Sequence, residues 1–177
     1  MKLQQIRTTD EAHYAFVEKV LVDSFPQNEY RDLPDFRDFT DNNPLFHNNI
    51  ILENDRLAGM ITYWDFSDFY YIEHFAIDKP MRGKGYGAYS LFLLKRMVNK
   101  PLVLEVELPV KEQSLRRIRF YQRQGFNLMN NYYEQPPYRP SDNSYPMLIM
   151  VYDEKGRGVD FKAIRSTIYR EVYGVKS

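Results

Sequence analysis

Apolar positions recur every second residue along some stretches of this chain and every third or fourth along others. The switches between the two periods mark its elements. Residues 3–7 read as a short strand. Thr8 or Thr9 can then cap a helix with Asp10 and Glu11 in its first turn, and Phe16, Val17, Val20 and Leu21 fall on its inner face. Residues 24–44 are polar and aromatic and are broken by Pro26, Pro34 and Pro44, so only a short helix around 34–40 is expected there. Residues 49–53 and 57–65 predict strands joined by an Asn54-Asp55-Arg56 turn, an antiparallel hairpin. Residues 69–77 predict a third strand. A helix over 86–99 follows, its stripe of Tyr86, Tyr89, Leu93, Leu94 and Met97 ending before Pro101.

Further on, residues 102–108 predict a strand and 114–124 a helix closed by Gly125. Two more strands are expected over 126–134 and 147–153, separated by a loop at 135–146 rich in Pro and Tyr. Asp160 can cap a last helix, in which Phe161, Ile164, Ile168 and Val172 step by three or four before Gly174. No repeat, low-complexity tract or interdomain linker interrupts this order. Strand runs mixed with single helices predict one α+β domain with a mostly antiparallel sheet over residues 1–154. Residues 155–177 are expected to be a helical extension packed on it.

Composition narrows the chemistry. The 177 residues hold 24 basic and 24 acidic side chains, so the charges cancel. That removes the electrostatic reason to expect nucleic acid or an anionic membrane as partner. With no cysteine there is no disulfide, thiolate metal site or Cys nucleophile. His13, His47 and His74 lack metal-ligand spacing, so no metal is expected. No apolar run approaches the length of a membrane span, and residues 1–5 do not open a signal peptide, so a cytoplasmic location is expected. The 15 tyrosines mostly reflect core and surface packing, with some left for amphipathic pocket walls.

One segment stands apart. The apolar strand ending Phe75-Ala76-Ile77 runs through Asp78-Lys79-Pro80-Met81-Arg82 into Gly83-Lys84-Gly85-Tyr86-Gly87-Ala88 and a helix. Glycines there let backbone N–H groups approach a ligand, and a helix N-terminus adds unpaired donors and a positive dipole end. The arrangement suits phosphate. Gly83-x-Gly85-x-x-Ala88 satisfies the dinucleotide pattern, with Glu105 and Glu107 about 20 residues on. Its context disagrees: five residues separate strand from glycine, and an antiparallel hairpin precedes it. A phosphate-binding loop of the Walker type lacks its Gly-Lys-Ser/Thr. A plain surface turn is the remaining alternative.

Arg82-x-x-Gly85-x-Gly87 resembles the Arg/Gln-x-x-Gly-x-Gly/Ala acetyl-CoA signature of the GCN5-related N-acetyltransferase (GNAT) superfamily. About 30 residues later, the helix from Ser114 ending Tyr121-Gln122-Arg123-Gln124-Gly125-Phe126 resembles the family's second segment, Tyr-x-x-x-Gly-Phe. The order of elements over residues 3–153 is similar to the family plan. The resemblance implies a mixed, mostly antiparallel central sheet flanked by helices and splayed at a cofactor cleft, with the C-terminal helix as an addition.

It also implies roles. The backbone of Phe75, Ala76 and Ile77 would bond the pantetheine arm of acetyl-CoA like an added strand. Main-chain N–H groups of Arg82, Gly83, Lys84, Gly85, Tyr86, Gly87 and Ala88 would hold its pyrophosphate, with Arg82 and Lys84 as further charged contacts. Ser114 stands where the family often has an Asn that contacts the pantetheine. Tyr121 would protonate the leaving thiolate; the other reading is a packed tyrosine. Glu73 is the candidate base. Alternation places it on one face with Tyr71, Phe75 and Ile77, where it should meet a cleft or a partner. A structural ion pair or a role in binding the substrate ammonium are its alternatives, and His74 is expected to be a packed histidine. The implied activity is direct acetyl transfer from acetyl-CoA to a primary amine, with a non-catalytic acyl-CoA-binding domain as the alternative. Acceptor-side walls would come from residues 24–44 and 135–146. Their mixed charge leaves a small metabolite, an antibiotic-like amine and a peptide amine all open, and the C-terminal helix leaves a homodimer open.

Overall fold

The computed structural model describes residues 1–175. The chain divides into two compact units: residues 1–66 with 72–99, and residues 67–71 with the chain from Lys100 onward. Helices and mostly antiparallel strands alternate through both, an α+β fold with a terminal helix beyond the last strand.

In the first unit β1 (Lys2–Gln5), β2 (Phe46–Glu53) and β3 (Arg56–Asp65) are antiparallel neighbours, with Gln5 opposite Asn49 and Ile50 opposite Met60. β4 (Tyr70–Ile77) bonds to β3. Asn54 and Asp55 make the β2–β3 turn with φ of 48° and 61°, the left-handed pair that matches strand twist in a tight hairpin. Ile50, Ile51, Met60 and Ile61 are fully buried. α1 (Glu11–Ser24) buries Tyr14, Val17, Val20 and Leu21, so Tyr14 takes the inner place expected for Phe16. Its N-cap is Asp10, because Thr8 is committed elsewhere: both its N–H and its hydroxyl donate to Asp41 at the end of α2 (Leu33–Asn42). α3 (Tyr86–Met97) completes this unit.

Gly59 on β3 fixes the approach of β3 to β4. A Cβ there would sit 2.3 Å from the carbonyl oxygen of Ala76, a main-chain atom that cannot swing away. Gly59→Ala is therefore expected to cost about 1–3 kcal/mol of stability through overpacking. Urea denaturation checks this, and an unchanged midpoint would show that β4 moves freely.

The second unit contains β5 (Leu102–Glu107), α4 (Glu112–Arg123), β6 (Asn127–Leu128), β7 (Tyr133–Gln135), β8 (Tyr145–Tyr152) and α5 (Phe161–Glu171). β8 pairs antiparallel with β5, β6 and β7. The single strand expected over 126–134 is thus two short ones. The chain takes five steps from Leu128 to Tyr133 while β8 takes three from Met150 to Met147. The excess is extruded at Asn130, Asn131 and the 78% exposed Tyr132, residue types that favour turns or tolerate solvent. Gly125, at φ 82°, ends α4 while Phe126 N–H bonds back to the Tyr121 carbonyl. Asp160 caps α5 by accepting from Ala163 N–H, and Ile164, Ile168 and Val172 are buried.

Candidate active site

The end of β4 feeds a built anion cradle. Asp78 caps a 3-10 turn (Lys79–Met81) through Lys79 N–H, and the Arg82 Nε–H donates back to the Ile77 carbonyl at 2.7 Å. This ties down the five residues between strand and glycines. Gly83 and Gly85 both hold φ of 78°, and Gly85 is the N-cap of α3. Among the described residues, chain neighbours aside, nothing lies within 4 Å of where a Cβ would project at either glycine. Tyr89 N–H makes the first helical bond, to Gly85; among the described residues no acceptor reaches the N–H groups of Gly83, Lys84, Gly85, Tyr86, Gly87 or Ala88. Six amides at the positive end of a helix, beside Lys84, have the chemistry that suits an anion. An open pocket of ≈ 370 Å³, lined by Lys84, Gly85, Tyr86, Tyr89, Glu53 and Met1, lies beside it.

Upstream on β4, Phe75 and Ile77 are half-buried and Ala76 is buried. Glu73 is half-buried as a residue although its side chain is 0% exposed, so what is accessible there is main chain. Accessible strand backbone is what an extended ligand needs for ladder-type hydrogen bonds.

The Glu73 carboxylate is enclosed rather than open to a cleft. Arg31 Nη2 donates to Oε1 in an ion pair, and Trp64 Nε1–H donates to Oε2 at 2.8 Å. The guanidinium lies 4.3 Å from the ring centre of Phe39, 5.4 Å from Trp64 and 5.8 Å from Phe46, so its cation is enclosed by aromatic faces. Burial pushes the Glu73 carboxyl up, but Arg31 and the Trp64 N–H outweigh it and hold the group below its usual value. The expectation of a cleft-facing base needs correcting: a carboxylate so stabilised as the anion, and closed to solvent, is a weak proton acceptor. Of the alternatives weighed from sequence, the geometry favours the ion pair.

His74 follows the packed reading. Burial depresses its pKa, leaving it neutral at physiological pH. Its Nε2 lies 2.8 Å from the Glu29 carbonyl, which only accepts, so Nε2 carries the proton and Nδ1 faces the Thr62 hydroxyl at 3.5 Å. Glu73 and His74 together clamp residues 29–31 to β4.

In the second unit Tyr121 is 8% exposed, against Phe120 and Phe126 at 5.2 and 5.6 Å. Burial pushes its phenol up to about 12, with Arg117 opposing. It is therefore protonated at neutral pH. Ser114 is buried and starts α4: its hydroxyl donates to the Lys111 carbonyl and accepts from Lys111 N–H. That uses its only proton locally, at the start of α4. Sequence reasoning gave no role to Trp64, nor to Glu105 beyond the rejected dinucleotide pattern. Trp64 is the chain's one tryptophan, on a strand neighbouring Glu73, which was the available signal.

Among the described residues no cluster of His, Asp or Glu could hold a metal ion, and no helix is long and apolar enough to cross a membrane. Strand, glycine turn with outward amides and helix follow one another here in the order that suits binding of an anion at a helix N-terminus. The model of the acetyltransferase (GNAT) family matches residues 9–126, and the chain belongs to that family. A solved GNAT-family structure from Bacteroides thetaiotaomicron is 48% identical, covering 99% of this chain and 100% of that one, with a TM-score of 0.95. More distant structures share the fold. An aminoglycoside 6'-N-acetyltransferase complexed with coenzyme A is 14% identical, covering 90% of this chain and 100% of that one, TM-score 0.63. Arabidopsis thaliana Naa50, in complex with the bisubstrate analogue CoA-Ac-MVNAL, is 19% identical, covering 86% and 97%, TM-score 0.60. No curated protein matches.

Proposed function

We propose that this protein transfers an acetyl group from acetyl-CoA directly to a primary amine of a small molecule or peptide. The observation that carries the reading is the row of six amides without acceptors from Gly83 to Ala88, beside strand backbone that is itself accessible at Glu73. In this reading the amides and Lys84 hold the pyrophosphate, and the main chain of Phe75, Ala76 and Ile77 holds the pantetheine. Arg82 keeps the turn in place, with its remaining guanidinium N–H groups as phosphate donors. The neutral amine attacks the thioester carbon, the C–S bond breaks and coenzyme A leaves as the thiolate, which takes its proton from water; a main-chain N–H near Ile77 steadies the oxyanion.

Tyr121 supplies the hydrogen to the departing sulfur. Its phenol, near 12, is a weaker acid than a thiol of about 8.5, so a hydrogen bond to the thiolate is the favoured form of that help. Glu73 acts through Arg31, holding residues 29–31 on the acceptor side, and the amine proton goes to water.

Thiol release from acetyl-CoA across an amine panel tests this. The wild type is expected to release thiol only when an amine is present. Tyr121→Phe is expected to lower kcat about 10²-fold with coenzyme A affinity unchanged. Coenzyme A binding with no amine-dependent release would leave a non-catalytic acyl-CoA-binding domain. Thermal stabilisation by NAD(P) but not by coenzyme A would end the reading altogether.

A further inference from the structure

We propose that the open pocket beside the glycine turn seats the nucleobase of the acetyl donor, with the Tyr89 ring as its stacking face and Glu53 accepting from its exocyclic amino group. The donor so selected is a free adenine-nucleotide thioester rather than a phosphopantetheine arm carried on another protein. This rests on the acetyl-CoA reading above and deepens it.

The pocket of ≈ 370 Å³ is walled by Lys84, Gly85, Tyr86 and Tyr89 on one side and by Glu53 and Met1 on the other. All six belong to the first unit, so its shape is set within one compact body. Lys84, Gly85 and Tyr86 also belong to the row of amides. A ligand whose diphosphate lies on those amides therefore has its next group at the mouth of this pocket.

The walls differ in chemistry. Tyr89 is 48% exposed although it sits in the first turns of α3, whose Ser90, Leu91 and Leu94 are buried. Its ring lies 5.7 Å from that of Phe92, one turn further along the same face. A large aromatic surface left at the rim of a pocket is a platform on which a planar base can stack. Lys84 is exposed and, among the described residues, in no ion pair, so its charge is available to phosphate.

Glu53, at the end of β2, faces them with its side chain 25% exposed. Its Oε2 is 3.1 Å from the Met1 ammonium, while Oε1 has no partner among the described residues. An ionised carboxylate only accepts, so a base presenting an amino group fits this wall and one with that group blocked does not. Because the ammonium already balances Glu53, the acid can stand near a phosphate-bearing ligand without a bare like charge. The size suits a nucleoside, at the lower end of the range for small-molecule pockets.

Calorimetric titration of the full chain tests this with three ligands: coenzyme A, etheno-coenzyme A, whose exocyclic amine is closed into a ring, and phosphopantetheine. The wild type is expected to favour coenzyme A over the etheno form by about five-fold or more. Glu53→Ala should bring the two within two-fold of each other. Tyr89→Ala should weaken coenzyme A by about ten-fold or more and leave phosphopantetheine within two-fold, since only the former carries a base. A wild type that binds both nucleotide forms equally overturns the assignment, as does a Tyr89→Ala protein that loses neither ligand or both alike; coenzyme A binding at the amides would still stand. If Tyr89→Ala does not fold, the wild-type comparison decides. A wild type that binds no coenzyme A removes both readings.

Discussion

Arg31→Met is expected to destabilise the protein by roughly 3–5 kcal/mol, the range for stripping one partner from a buried ion pair. The Glu73 side chain is 0% exposed and that of Arg31 is 7% exposed, so the carboxylate left behind would find no water to replace the guanidinium. Adding Glu73→Gln should restore much of the loss, because no bare charge then remains. The pH dependence follows from the direction of the shift. In the wild type Glu73 is held below its usual 4.5, so the pair's contribution is complete above that value and fades as pH falls through the folded-state value. In Arg31→Met the largest influence opposing burial is gone and the carboxyl rises, so that variant gains stability on acidification. The gap between the two proteins should be widest at neutral pH and narrow towards pH 5. Urea denaturation at both values checks this, and a gap that is flat with pH would show that the two side chains are not coupled as described.

Gly85→Val should separate folding from ligand binding. At φ 78° the N-cap of α3 sits in the left-handed region, which costs a non-glycine residue about 1–2 kcal/mol, and a β-branched one more. Because, among the described residues and chain neighbours aside, nothing lies within 4 Å of the new Cβ, it meets open space. Stability should therefore fall only modestly, while the loop is free to leave the conformation that points its amides outward. A conformational cost of about 1.4 kcal/mol appears as a ten-fold loss, so coenzyme A affinity is expected to drop at least that much. Calorimetric titration reads it directly. Affinity within two-fold of wild type would mean that the amides do not hold the diphosphate.

What the sequence disclosed and what it withheld divide by range. Gly83, Gly85 and Gly125 were legible because a positive φ is a local demand that few other residues meet, and each does hold one. The Asn54-Asp55 hairpin and the Asp160 cap were legible for the same kind of reason. The α1 cap was misread because Thr8 bonds Asp41, 33 positions away. The ion-pair partner of Glu73, Arg31, lies 42 positions back. Periodicity said correctly that an acid in an apolar strand must have company, but it has no means of naming distant company. The division of 126–134 into β6 and β7 was hidden for another reason: the residues between them could have been strand, and only the register of β8 decides that they are not.

That division has a consequence for motion. β5 and β8 share six register pairs, whereas β6 and β7 bring only two and three residues to the same strand. Short ladders open with little free energy, so the second unit is graded, stiff along β5 and easily frayed at β7. The Tyr169 bond to the Glu134 carbonyl lies on one of these short ladders. Through that bond α5 sets how often the β7 edge breathes.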